Sequence, residues 1–130
     1  MPFAKLTLAN TPPALDCTRL GEALTTLIAE ALGKRHDLTS VLIETPGQPC
    51  WTIGGVRQRT AAHLELYVTA GTNTAEQKRN FLARAMVVLH EVLPGLDPAS
   101  YIIVNEVPAA DWGYDGISQA DRAGGNADVR

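Results

Sequence analysis

The chain has 130 residues, 45% of them hydrophobic and 19% charged. That balance fits one folded domain with a core and excludes a disordered polymer. A net charge of −3 and a pI near 5.5 argue against a surface for nucleic acid or anionic membrane.

No apolar run approaches membrane-spanning length, and the first residues lack a basic-then-apolar leader pattern. Cys17 and Cys50 have no metal or redox spacing, so two reduced thiols in a cytoplasmic protein are expected. His36, His63 and His90 match no local ligand motif, so no metal is expected.

In chain order, Phe3, Leu6 and Leu8 mark a first strand within residues 1–10. A Met before a small residue such as Pro2 is normally trimmed, which leaves Pro2 as a secondary amine fixed to that strand. An α-amino group titrates at roughly 7.7–8.0, and burial pushes the value down. The neutral amine is then a general base or a nucleophile toward carbonyls.

After Pro12 and Pro13, the residues Leu20, Leu24, Leu27, Ile28, Ala31 and Leu32 form one helical face, with Gly33 at its end. A second strand is expected over Thr39–Thr45, followed by a loop over Pro46–Gly55 that carries Trp51. The pattern then repeats. Residues Ala61–Ala70 alternate as a strand, Thr74 to Gln77 reads as a capping box, and Phe81, Leu82, Ala85, Met86, Leu89, Val92 and Leu93 give a second helical face. Ser100–Val107 is a further strand and Pro108–Gly116 a loop with Trp112. The two halves are offset by roughly 60 residues.

The fold class expected is α/β (α+β): a tandem β-α-β repeat in a four-stranded sheet with both helices on one face. The domain spans residues 1–116, in halves of about 1–60 and 61–116, and residues 117–130 form a C-terminal tail over a neighbour or without order. The uncovered sheet face still carries apolar residues, so an oligomer is expected.

Met1-Pro2, the repeat and the aromatic-bearing loops together resemble the tautomerase superfamily over residues 1–116. Leu38-Thr39-Ser40-Val41 with Trp51-Thr52-Ile53-Gly54-Gly55 resembles oxalocrotonate tautomerase, and Ile53 to Gln58 resembles the cis-3-chloroacrylic acid dehalogenase group. Ala110-Asp111-Trp112 is similar to malonate semialdehyde decarboxylase. Asp97-Pro98, Tyr101-Ile102 and Ala109 to Gly113 are similar to macrophage migration inhibitory factor. The resemblance implies a trimer and a terminal proline that moves a proton between the carbon and oxygen of a keto–enol pair. In the dehalogenase and decarboxylase branches the proline stays protonated and acts as an acid.

The sequence departs from these relatives at their arginines. Positions matching the oxalocrotonate tautomerase pair hold Thr11 or a near neighbour and Leu42, and Ala70-Gly71-Thr72-Asn73 lacks the pair of the dehalogenases. Lys34 aligns with a lysine that meets a substrate carboxylate in the migration inhibitory factor group, and otherwise reads as a helix-end cation. Tyr101 aligns with a pocket tyrosine of the same group or sits at the core edge. Arg57 and Arg59 follow the Gly-Gly turn and either reach a pocket at a subunit boundary or stay solvated. Trp51 and Trp112 wall the pocket or pack internally. Asp37 matches a water-activating acid of the decarboxylase branch.

Three readings follow. The first is a cofactor-independent keto–enol tautomerase of a small 2-oxo acid with Pro2 as base. The second is a proline-assisted hydratase, dehalogenase or decarboxylase of a three-carbon acid. The third is a catalytically degenerate trimeric relative.

Overall fold

The computed structural model describes residues 1–124. Strand β1 (Phe3–Leu8) alternates: Ala4, Leu6 and Leu8 are wholly buried, while Phe3, Lys5 and Thr7 point to the opposite face. Strand β2 (Ser40–Glu44) lies parallel to β1, with Phe3 opposite Ser40. Helix α1 (Cys17–Leu32) connects them and lays Leu20, Leu24, Leu27, Ile28, Ala31 and Leu32 on the sheet. Asp16 caps the start of α1 by accepting the Arg19 N–H, and Gly33, at φ 65°, ends it in the left-handed conformation that glycine takes without steric cost.

The second half repeats the unit. Strand β5 (Ala62–Thr69) buries Ala62, Leu64, Leu66 and Val68 under the helices and pairs parallel to β6 (Tyr101–Val107). Helix α2 (Ala75–Val92) packs against α1 on the same face, and its capping box is complete: Thr74 accepts from Gln77, and the Gln77 side chain accepts from the Thr74 N–H. Because β1 and β5 pair antiparallel, the strand order is β2-β1-β5-β6. The expected mixed fold, with a four-stranded sheet and two main helices on one face, is the observed one.

The open face is less apolar than the sequence suggests. Leu42, Tyr101 and Ile103 are exposed there, but Lys5 and Glu44 form an ion pair at 3.2 Å and Phe3 stacks on Tyr67.

Both stretches expected to be loops fold back as hairpins. Strands β3 (Thr52–Ile53) and β4 (Val56–Arg57) turn through Gly54 and Gly55, and β7 (Gly113–Tyr114) and β8 (Ile117–Ser118) turn through Asp115 and Gly116. All four turn residues have positive φ, the two-residue turn whose twist matches its strands. Two-residue strands are too short to carry periodicity, which is why they read as loops. Residues 117–124, expected as tail, complete the second hairpin and form helix α3 (Gln119–Gly124), with Gln119 wholly buried. The rest of the expected tail, residues 125–130, lies outside the described residues.

Candidate active site

Pro2 is buried at the head of the second strand in the sheet order. Its carbonyl accepts the Ser40 N–H at 3.2 Å, which extends the β1–β2 pairing by one residue. Pro2 is in step with Ala4 and Leu6, so it belongs to the helix-covered face. Phe3 stands opposite Tyr67, so one further residue of the same register brings Pro2 beside Val68, whose other neighbour is Glu106.

This end of the sheet collects the starts of β1 and β2 and the ends of α1, β5 and β6. The left-handed turn at Gly33 directs Lys34 inward, where it is only 6% exposed. Lys34 Nζ donates to Thr72 Oγ1 at 2.7 Å, and Thr72 Oγ1 donates to the Thr69 carbonyl at 2.6 Å. Trp112 Nε1 donates to Thr69 Oγ1 at 3.3 Å. The lysine and the indole are therefore anchored on the same residue of β5.

Glu106 completes the rim. Its carboxylate accepts from Lys78 at 2.9 Å, and that bond holds its carboxyl below the usual glutamate range. Partial burial opposes the shift, while the Gly71 N–H and the positive charges of Lys78 and Lys34 reinforce it. Glu106 is thus an anion that shares a field with Lys34.

Asp37 lies in a 3-10 turn (His36–Leu38) just before β2, with its side chain 64% exposed. Arg35 bonds both carboxylate oxygens, and this pairing keeps Asp37 below the usual carboxylate range although desolvation opposes it.

The remaining residues singled out in the sequence sit at the opposite end. Trp51, Ile53, His63 and Tyr101 line a hollow of about 350 Å³ beside the first hairpin. Arg57 and Arg59 are exposed in and just after that hairpin. Tyr101 pairs with His63, which pairs with Thr7, so it is separated from Pro2 by the strand from Pro2 to Thr7. At about 3.4 Å per residue that is roughly 17 Å. Tyr101 also faces the open side of the sheet, and Pro2 the helices. Within one chain, Pro2, Lys34 and Trp112 share an end, whereas Trp51, Arg57, Arg59 and Tyr101 share the other.

Thr69, Thr72 and Glu106 were not foreseen from the sequence. Thr72 and Lys34 are 38 residues apart, and Trp112 and Thr69 are 43 apart, so no local motif carries them. Among the described residues no cluster of three or more His, Cys, Asp or Glu side chains is placed to hold a metal ion, and no helix is long and apolar enough to cross a membrane.

Residues 63–122 match a family model described as "Tautomerase enzyme". Over that stretch the chain resembles the tautomerase family. Solved structures with the same fold include Pt0534 inactivated by 2-oxo-3-pentynoate, which is 16% identical, with 94% of this chain and 98% of that one covered at a TM-score of 0.82. A fused 4-OT described as a wild-type symmetric trimer is 18% identical over 94% of this chain and 98% of that one, with a TM-score of 0.80. A macrophage migration inhibitory factor-like protein from Entamoeba histolytica is 17% identical over 90% and 97%, with a TM-score of 0.76. Among curated proteins, none matches by sequence. The family match takes in Thr69, Thr72, Glu106 and Trp112, and begins after Pro2 and Lys34.

Proposed function

We propose that the chain is a cofactor-independent keto–enol tautomerase of a small 2-oxo acid, with Pro2 as general base once Met1 is removed. The observation that carries this reading is the buried Pro2 at one end of the sheet with the buried Lys34. Burial disfavours the ammonium form of the terminal amine, and a lysine cation at the same end of the sheet acts in the same direction. The neutral nitrogen takes the proton from the enol oxygen on C2, and the resulting ammonium delivers a proton to C3 as the C2=C3 double bond becomes the C2 carbonyl. Lys34 holds the substrate carboxylate through both transfers. Trp112 lies on the same rim and walls the substrate.

The domain for this chemistry is residues 1–116, with the β7–β8 hairpin completed by residues from the C-terminal segment. Arg57, Arg59, Trp51 and Tyr101 meet a Pro2 only when a second copy supplies them. In this reading, assembly as a trimer, the form in which a fused 4-OT is described, supplies that second copy and covers Leu42, Tyr101 and Ile103. Pt0534 is inactivated by 2-oxo-3-pentynoate, which supports a 2-oxo acid as the substrate class here. Hydration chemistry asks for a carboxylate free to take a proton from water, and the pairing of Asp37 with Arg35 favours tautomerisation instead.

The test is the pH dependence of kcat/KM for ketonisation of phenylpyruvate enol. A neutral-amine base gives a rising limb with an apparent pKa below the ordinary α-amino value of about 7.7. A profile that falls as the pH rises through neutrality indicates a protonated proline and supports the hydratase or decarboxylase reading.

A further inference from the structure

We infer that Thr72 is a positioning residue that aims the Lys34 ammonium at the substrate carboxylate, an inference that rests on the tautomerase reading of this site. A threonine hydroxyl has one proton and two lone pairs. In Thr72 the short bond to the Thr69 carbonyl uses the proton, at 2.6 Å. Only lone pairs remain for Lys34, and Nζ donates into them at 2.7 Å. The hydroxyl is therefore polarised as an acceptor with a fixed direction, which is what orients an ammonium group that has three rotatable donors.

Neighbouring contacts fix Thr72 itself. Gly71, at φ 80°, turns the chain just before it, and Asn73 ties the loop to the end of α1 through the Leu32 carbonyl. Thr69, which takes the Thr72 proton on its carbonyl, also holds the Trp112 indole on its hydroxyl. One residue of β5 thereby sets the separation between the cation and the aromatic wall. Lys34 there offers a charged contact for one carboxylate, and the Trp112 indole an aromatic one. The carboxylate of Glu106 on the same rim disfavours a second anionic group there.

The test compares wild type, Thr72→Val and Thr72→Ser, using phenylpyruvate enol for kinetics and the unreactive acid phenylacetate for binding by calorimetry. Valine keeps the branched shape and removes the acceptor, whereas serine keeps the acceptor. Thr72→Val is expected to raise both KM for the enol and Kd for phenylacetate about tenfold, with kcat within about twofold. Thr72→Ser stays within about twofold of wild type throughout. In a Lys34→Met background, Thr72→Val has no further effect on Kd, whereas a merely structural role adds its cost there too. Thr72→Ala takes the place of the valine variant if that protein fails to fold. Unchanged Kd and KM in the acceptor-less variant overturn the inference, as does an equal loss in the serine variant. A wild type inactive on the enol defeats the tautomerase reading instead, and the phenylacetate arm still decides the role of Thr72.

Discussion

Asn73 Nδ2 donates to the Leu32 carbonyl at 2.8 Å, so the loop before α2 closes the last turn of α1. The same amide group donates to Gln77 Oε1 at 3.1 Å inside the capping arrangement of α2. The end of one half and the helix start of the other are locked together next to Lys34. Asn73→Ala leaves a helix-end carbonyl without this partner, and is expected to lower stability by about 1–2 kcal/mol. Urea unfolding read by far-UV circular dichroism measures it.

Lys34 provides the only buried cation among the described residues at the Pro2 end of the sheet. Lys34→Met keeps the stem volume and removes the charge. Loss of a charge-assisted bond to the carboxylate of about 1.5–3 kcal/mol predicts a fall in kcat/KM of roughly 10- to 100-fold. Steady-state kinetics on phenylpyruvate enol reads the change, with thermal unfolding as the control for the fold.

Glu106 gives stability an acid limb. Its folded pKa is depressed below the ordinary glutamate value of 4.5, with the bond from Lys78 the largest cause. The folded state therefore binds fewer protons than the unfolded state just below that pH. The contribution is fully present above 4.5 and is lost as the pH falls through the lower folded value. Glu106→Gln is expected to flatten this part of the pH–stability curve and to leave its slope unchanged near neutrality. Urea midpoints measured at a series of acidic pH values test it.

Gly113 lies against its partner strand so closely that an added Cβ would meet the Ile117 carbonyl oxygen at 2.0 Å. Gly113→Ala is expected to force β7 and β8 apart and to cost about 1–3 kcal/mol. Trp112 immediately precedes Gly113, so the indole shifts with it. A change in tryptophan fluorescence together with a lower unfolding midpoint is the expected result.

Much of the fold is readable in the sequence because its signals are local. Ala4, Leu6 and Leu8 alternate, the Leu20 to Leu32 face repeats at helical spacing, and Thr74 with Gln77 announces a helix start. Asp16 as the cap of α1 and the two hairpins are short features without a period, and they emerge only in three dimensions. The candidate site is less legible. Pro2 stands out by its place after Met1, but Lys34 is singled out only by resemblance. Thr72 and Glu106 owe their roles to partners brought in by strand pairing and helix packing. Tyr101 reads as a pocket residue in the sequence, yet register and strand parity place it at the other end of the sheet from Pro2 and on the other face.

The central claim is tested most directly on untagged protein, by intact mass followed by ketonisation of phenylpyruvate enol in wild type and Pro2→Ala. The account predicts a mass without Met1, and activity that falls by about 100-fold or more in the variant. A chain that lacks Met1 but has equal activity in both proteins contradicts Pro2 as the base. A chain that keeps Met1 carries an amide nitrogen in place of the amine, and that result contradicts the mechanism outright.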